Sequence, residues 1–101
     1  MKTTDTLVWI IYDIVEDKPR TKIAKCCKEA GLYRVQKSVF LGTIARNRLD
    51  ELRLQIEELT NVEVDSVYIF PMCDEDFRKV KLLGQAFDQK LVTDDVRALF
   101  V

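Results

Sequence analysis

Tyr33-Arg34-Val35-Gln36-Lys37-Ser38-Val39-Phe40-Leu41-Gly42-Thr43 is the stretch on which the fold turns. Its β-branched and aromatic residues read as strand, and the polar triplet Gln36-Lys37-Ser38 reads as a kink between two pairing partners, so two short strands are predicted. A helix is predicted on each side of the pair. Before it, Ile23, Cys26, Cys27 and Ala30 recur at helical spacing, with Asp17 as the expected cap, Pro19 in the first turn and Gly31 as the stop. After it, Leu49, Leu52, Ile56 and Leu59 mark an amphipathic helix opened near Asn47 and closed near Asn61.

Outside the helices lie two further strands. Leu7-Val8-Trp9-Ile10-Ile11-Tyr12 is apolar without alternation, which predicts a central strand covered on both faces and ended by Asp13. Val62 to Phe70 alternates and then turns wholly apolar, so a last strand is expected there, terminated by Pro71. Strand, helix, strand, strand, helix, strand is the split βαβ order of an α+β, ferredoxin-like sandwich with two helices on one face of a four-stranded antiparallel sheet. One domain over 1–101 is predicted, with a core of about 7–72 and an extension of about 73–101. The uncovered sheet face and the apolar end Val96-Arg97-Ala98-Leu99-Phe100-Val101 both need burial, and a homodimer joined through the sheets, with the tail as an extension strand, meets both needs.

Composition excludes more than it assigns. The chain has 101 residues, a net charge of -1, no histidine and three cysteines. Cys26, Cys27 and Cys73 form no CxxC pair, and without histidine they complete no zinc or haem site, so reduced structural thiols and a cytoplasmic location are expected. The apolar run at Leu7 is far short of a bilayer span, and no membrane association is expected. Gly-rich phosphate loops and nucleophile elbows are absent, which leaves carboxylates, hydroxyls and metals as the sources of any catalysis.

Charge is unevenly placed. Seven basic residues, Lys18, Arg20, Lys22, Lys25, Lys28, Arg34 and Lys37, stand against the single acid Glu29 between Lys18 and Lys37, a local excess of six. The stretch reads either as a solvated surface or as a phosphate-binding patch, with Lys18, Arg20, Lys22, Lys25, Arg34 and Lys37 as the nucleic-acid-binding candidates. Arg20 and Arg34 lead these, since guanidinium makes bidentate phosphate contacts. Asp13 is the carboxylate that follows directly from the buried strand; it either caps the next turn or presents a reactive group. A lone Asp is a poor site for Mg²⁺, but two of them meeting at a dimer axis would supply a pair, with Glu16 and Asp17 as auxiliary acids. Tyr12, Tyr33 and Phe40 are open to two readings, packing or stacking on bases.

Tyr12-Asp13-Ile14, Arg20, Gly31, Arg34, Gln36 and Ser38-Val39-Phe40-Leu41-Gly42, at this spacing, resemble the CRISPR-associated protein 2 family over about 7–72. The resemblance implies a ferredoxin-like homodimer in which the aspartate at Asp13 pairs with its mate to bind Mg²⁺ or Mn²⁺. It implies an endonuclease on single-stranded RNA or double-stranded DNA, with the residues matching Tyr12, Arg20, Arg34 and Phe40 linked to activity or site architecture. It also implies a second role in spacer acquisition, as a non-catalytic DNA-binding scaffold for the CRISPR-associated protein 1 integrase. A ferredoxin-like regulatory module binding a small ligand is the remaining alternative, weakened by the lack of a Gly-rich ligand loop.

Overall fold

The computed structural model describes residues 5–86. Strand β1 (Asp5–Asp13) is followed by helix α1 (Asp17–Glu29), the pair β2 (Tyr33–Gln36) and β3 (Val39–Ala45), helix α2 (Arg46–Leu59), strand β4 (Ser66–Met72) and the short helix α3 (Asp74–Arg78). All neighbouring strands are antiparallel in the order β2-β3-β1-β4, the ferredoxin-like arrangement. The apolar run from Leu7 thus lies in a central strand, as its lack of alternation predicts.

Two cores separate along the pleat, because alternate residues of a strand face opposite sides. Val8, Ile10 and Tyr12 of β1 and Phe40 of β3 join Ile23, Ala24, Cys27, Leu52 and Ile56 beneath the helices. On the opposite face Leu7, Val35 and Leu41 bury Phe77 of α3, with Trp9, Val39, Met72 and Val80 packed at the edge. The second face is therefore covered over part of its area by the chain that follows β4. An extension strand expected from the C-terminal residues lies outside the described residues.

Helix α1 ends in a motif that aims β2. The Leu32 amide donates to the Cys27 carbonyl at 3.1 Å and the Gly31 amide to Lys28 at 3.0 Å, while Gly31 takes φ +87°. This pair of bonds is a Schellman closure, whose left-handed residue favours glycine, and it drops Leu32 into the core beside Cys27.

Three expectations need correction. Asp17 is the first helical residue and not the cap; Glu16 holds the cap position without a side-chain cap bond, and the Asp17 carboxylate accepts from Arg20 instead. Strand β4 begins at Ser66, because residues 61–65 form a turn in which the Val64 and Asp65 amides donate to the Asn61 carbonyl. Pro71 lies inside β4, opposite Val8. It is tolerated since, among the described residues, β4 is an edge strand, where a missing N–H costs no ladder bond if it faces outward.

Candidate active site

Asp13 is the last residue of β1, opposite Ser66 of β4, and its side chain is exposed. Parity puts it with Leu7, Trp9 and Ile11 on the sheet face away from α1 and α2. Ile11 pairs with Tyr68 and Trp9 with Phe70, so the same face carries these two aromatic residues of β4. Tyr68 and Phe70 are 54% and 48% exposed, and their rings stack at 6.0 Å with planes 1° apart. Asp13 thus stands at the corner of an apolar surface that α3 leaves open.

Tyr12, Arg34 and Phe40 gather on the other face. Phe40 pairs with Ile10 on one side and Arg34 on the other, which fixes their common side with Tyr12. The Tyr12 and Phe40 rings stack at 6.3 Å, and the Arg34 guanidinium lies 5.7 Å from the Phe40 centroid. One backbone carbonyl collects their polar atoms: Lys37 accepts from Tyr12 Oη at 3.3 Å and from Arg34 Nε and Nη2 at 3.1 and 2.6 Å. This closes the β2–β3 turn over the end of β1, where the Tyr12 amide also donates to Ser38 at 3.0 Å. Burial holds the Tyr12 phenol above its ordinary value, with the nearby Arg34 charge pulling the other way.

The residues that the resemblance links to activity or site architecture therefore lie in two places. Tyr12, Arg34 and Phe40 meet around the Lys37 carbonyl, while the adjacent Asp13 projects from the opposite side of the sheet. Arg20 stands beside the first group, its charge acting on the Tyr12 phenol together with that of Arg34. It sits on the inward side of α1 with Ile23 and Cys27, donating from Nη1 to the Ile14 carbonyl at 3.3 Å and pairing with Asp17. Lys18, Lys22 and Lys25 are exposed and lie about 180° around α1 from Cys27, on the outermost surface of the helix layer. Lys25 approaches Glu29 at 3.9 Å, an exposed pair of little energetic weight. Lys37 is exposed at the turn whose carbonyl the cluster uses.

A residue that sequence reading placed in a strand proves to belong to this region. The Asp65 carboxylate accepts from the Val15 amide through Oδ1 and from the Asn61 amide through Oδ2, both at 2.9 Å. Asn61-x-x-x-Asp65 was hidden by the apolar alternation of Val62 and Val64, so the only signal was the Asn and Asp typical of a turn.

For a divalent cation, this corner of the sheet offers the Asp13 carboxylate of each chain. Among the described residues no group of three or more Asp, Glu, His or Cys side chains converges. One copy alone does not fit Mg²⁺ or Mn²⁺ as a complete site, whereas two Asp13 side chains with waters and phosphate oxygens match the oxygen-rich coordination these ions take. A separate apolar groove of about 470 Å³ between α2 and β4, lined by Ile56, Val62, Val67 and Ile69, contains none of the candidate residues. Among the described residues no helix is long and apolar enough to cross a membrane.

The model of the family described as CRISPR associated protein Cas2 matches residues 6–80. A CRISPR-associated endoribonuclease Cas2 from Desulforudis audaxviator is 40% identical over 74 residues, covering 73% of this chain and 70% of that protein. Another from Korarchaeum cryptofilum is 29% identical over 85 residues, covering 84% and 91%. Among solved structures, a hypothetical protein TT1823 from Thermus thermophilus superposes with a TM-score of 0.63 at 31% identity, covering 79% of this chain and 92% of that one. Cas2 of Streptococcus pyogenes shares the fold with a TM-score of 0.64, over 77% of this chain and 99% of its own.

Proposed function

The chain belongs to the CRISPR-associated Cas2 family, and we propose that it is a homodimeric endonuclease that hydrolyses phosphodiester bonds of single-stranded RNA, with double-stranded DNA as an alternative substrate. RNA is preferred because the matched relatives are named endoribonucleases. The single observation that carries the reading is the position of Asp13, exposed at the corner of an open apolar sheet face. A second copy seated face to face on Tyr68, Phe70 and Ile11 would bury that surface and bring two Asp13 carboxylates together at the two-fold axis. Mg²⁺ or Mn²⁺ between them would supply Lewis acidity and a water of lowered pKa. Within the chain, the Tyr12, Arg34 and Phe40 cluster fixes the β2–β3 turn against the end of β1, and Arg20 fixes the backbone after Asp13. These residues shape the site in this reading without touching the phosphate.

The test is cleavage of end-labelled RNA by Asp13→Asn, which keeps size and shape but removes the negative charge of each ligand. Cleavage is expected to fall by at least ~100-fold, the usual scale for losing a group that activates a nucleophile, with the dimer intact by light scattering. Undiminished cleavage sinks the proposal.

A second reading is favoured by one observation of its own: the Lys18, Lys22 and Lys25 stripe lies on the outer helix surface, away from the face that carries Asp13. That separation suits a scaffold that holds duplex DNA for the CRISPR-associated protein 1 integrase independently of cleavage. Lys18→Glu, Lys22→Glu and Lys25→Glu together should weaken duplex binding and flatten the dependence of log K on log salt by roughly one unit for each phosphate no longer neutralised, while RNA cleavage persists. An unchanged slope removes the stripe from the binding surface. Three free thiols are consistent with a reducing, cytoplasmic location.

A further inference from the structure

The connection leaving Asp13 is short and is held at both of its polar ends. Between Asp13 and α1 run Ile14, Val15 and Glu16. Ile14 is buried in the helix-side core, and its carbonyl accepts from Arg20 at 3.3 Å. The Val15 amide, pointing out of this turn, would otherwise face solvent; it donates to Asp65 Oδ1 at 2.9 Å. The other oxygen of the same carboxylate accepts from the Asn61 amide at 2.9 Å, and the Asp65 amide donates back to the Asn61 carbonyl at 2.8 Å. Asn61 Oδ1 in turn accepts from the Glu63 amide at 3.1 Å. Asp65 is thereby locked by its own turn before it reaches Val15, so it acts as a fixed post and not as a mobile surface acid.

The post stands next to the candidate site. Asp65 immediately precedes Ser66, the register partner of Asp13. The Val15–Asp65 bond therefore continues the β1–β4 ladder past its last pair, using a side chain where the backbone can no longer reach. We propose that Asp65 is a positioning residue for Asp13: it fixes where the strand ends, and with it the direction in which the Asp13 carboxylate is presented. This rests on the reading of Asp13 as the catalytic carboxylate. The arrangement requires an aspartate, since both oxygens must accept. Asparagine is nearly isosteric but has one acceptor, and its amide nitrogen would oppose a backbone N–H.

Asp65→Asn is the test, run beside Asp13→Asn and a Glu63→Gln control in the same turn. Hydrogen exchange of the Val15 amide should accelerate at least ~10-fold in Asp65→Asn, since the opening of that bond is local. For RNA cleavage, kcat should fall by roughly 10- to 100-fold, the scale of a small misplacement of a reacting group, with KM and the affinity for RNA unchanged. Glu63→Gln should leave both readouts as they are. Unchanged Val15 exchange overturns the proposal, as does full kcat in Asp65→Asn where Asp13→Asn is inactive. A fall in kcat that only tracks loss of folded protein, seen as a matching drop in thermal midpoint and RNA affinity, overturns it too. Full cleavage by Asp13→Asn overturns the Asp13 reading itself, and the inference with it.

Discussion

Tyr12 and Cys27 are buried groups that must stay neutral for the core to persist. The Tyr12 hydroxyl donates to the Lys37 carbonyl, a bond that only the protonated phenol can make. Burial pushes the Cys27 thiol up to about 12 from an ordinary 9.0, helped by its neighbour Cys26, and it likewise raises the Tyr12 phenol above 10.0. Both folded-state values lie above the unfolded ones, so the folded state holds these protons more tightly. Their stabilising effect is complete below about pH 9 and is lost as pH rises through the folded values, at a slope of up to ~1.4 kcal/mol per unit per group. Urea midpoints taken from pH 8 to 11 should therefore fall above pH 9, and Cys27→Ala should show a shallower fall than the unaltered protein. Parallel curves for the two would mean that the Cys27 proton is not linked to folding. The sequence led to reduced structural thiols, and the structure distinguishes them: Cys27 has no exposure, Cys26 is partly buried and Cys73 is exposed, capping α3 by accepting from the Asp76 amide at 3.4 Å. A cysteine cap is not among the usual start signals of a helix, which is why α3 was not foreseen.

The elements differ in how far local chemistry decides them. Gly31 closes α1 at φ +87°, and a Cβ built there would meet nothing within 4 Å. The cost of Gly31→Ala is thus one of backbone conformation alone, about 1–2 kcal/mol, measurable as a shift of the urea midpoint with unchanged slope. Gly42→Ala is a different case. Its Cβ would come within 3.1 Å of Leu32 Cδ2 and 3.4 Å of Leu32 Cα, so the penalty there is steric and depends on how far Leu32 can move. Both glycines act on Leu32, the residue by which α1 hands the chain to β2. This logic was legible: helical spacing, a glycine stop and a polar kink between two apolar runs gave α1, β2, β3 and α2 within a residue or two. What failed did so for two different reasons, one local and one set by the sheet. Val62 and Val64 mimic strand alternation yet sit in a turn held by Asn61 and Asp65, and Pro71 is permitted because its strand happens to lie at the edge of the sheet. The first has a local signal, Asn61 and Asp65, which the valine alternation outweighs; the second is not encoded within a few residues of Pro71.

At the scale of the molecule, one sheet separates two surfaces. Tyr12 and Asp13 are adjacent in sequence and both belong to the set that the family resemblance implies, and the pleat sends them to opposite sides. The helix side holds its core within one chain, open only at the groove between α2 and β4, and its outer surface carries the lysines. Among the described residues the other side is covered only in part. Phe77 covers Leu7 and Leu41, but Tyr68 and Phe70 remain about half exposed beside Asp13. An aromatic, nearly charge-free patch on a sheet tends to associate, and a specific dimer needs roughly 1,000 Å² or more of buried surface, which a strand face of this kind can contribute. Introducing charge is the direct probe. Phe70→Glu with Tyr68→Glu would place two like charges on each copy where the faces meet, while Val67 and Ile69, which point to the helices, keep the strand in place. The variant is expected to sediment as a folded monomer at micromolar concentration and to lose RNA cleavage along with the dimer, since each copy retains only one Asp13. Duplex DNA affinity should drop less, because the lysine stripe is untouched and only its duplication is lost. A dimer that survives both substitutions would place the two-fold axis elsewhere and leave Asp13 without its mate; a monomer that still cleaves would show that one carboxylate suffices.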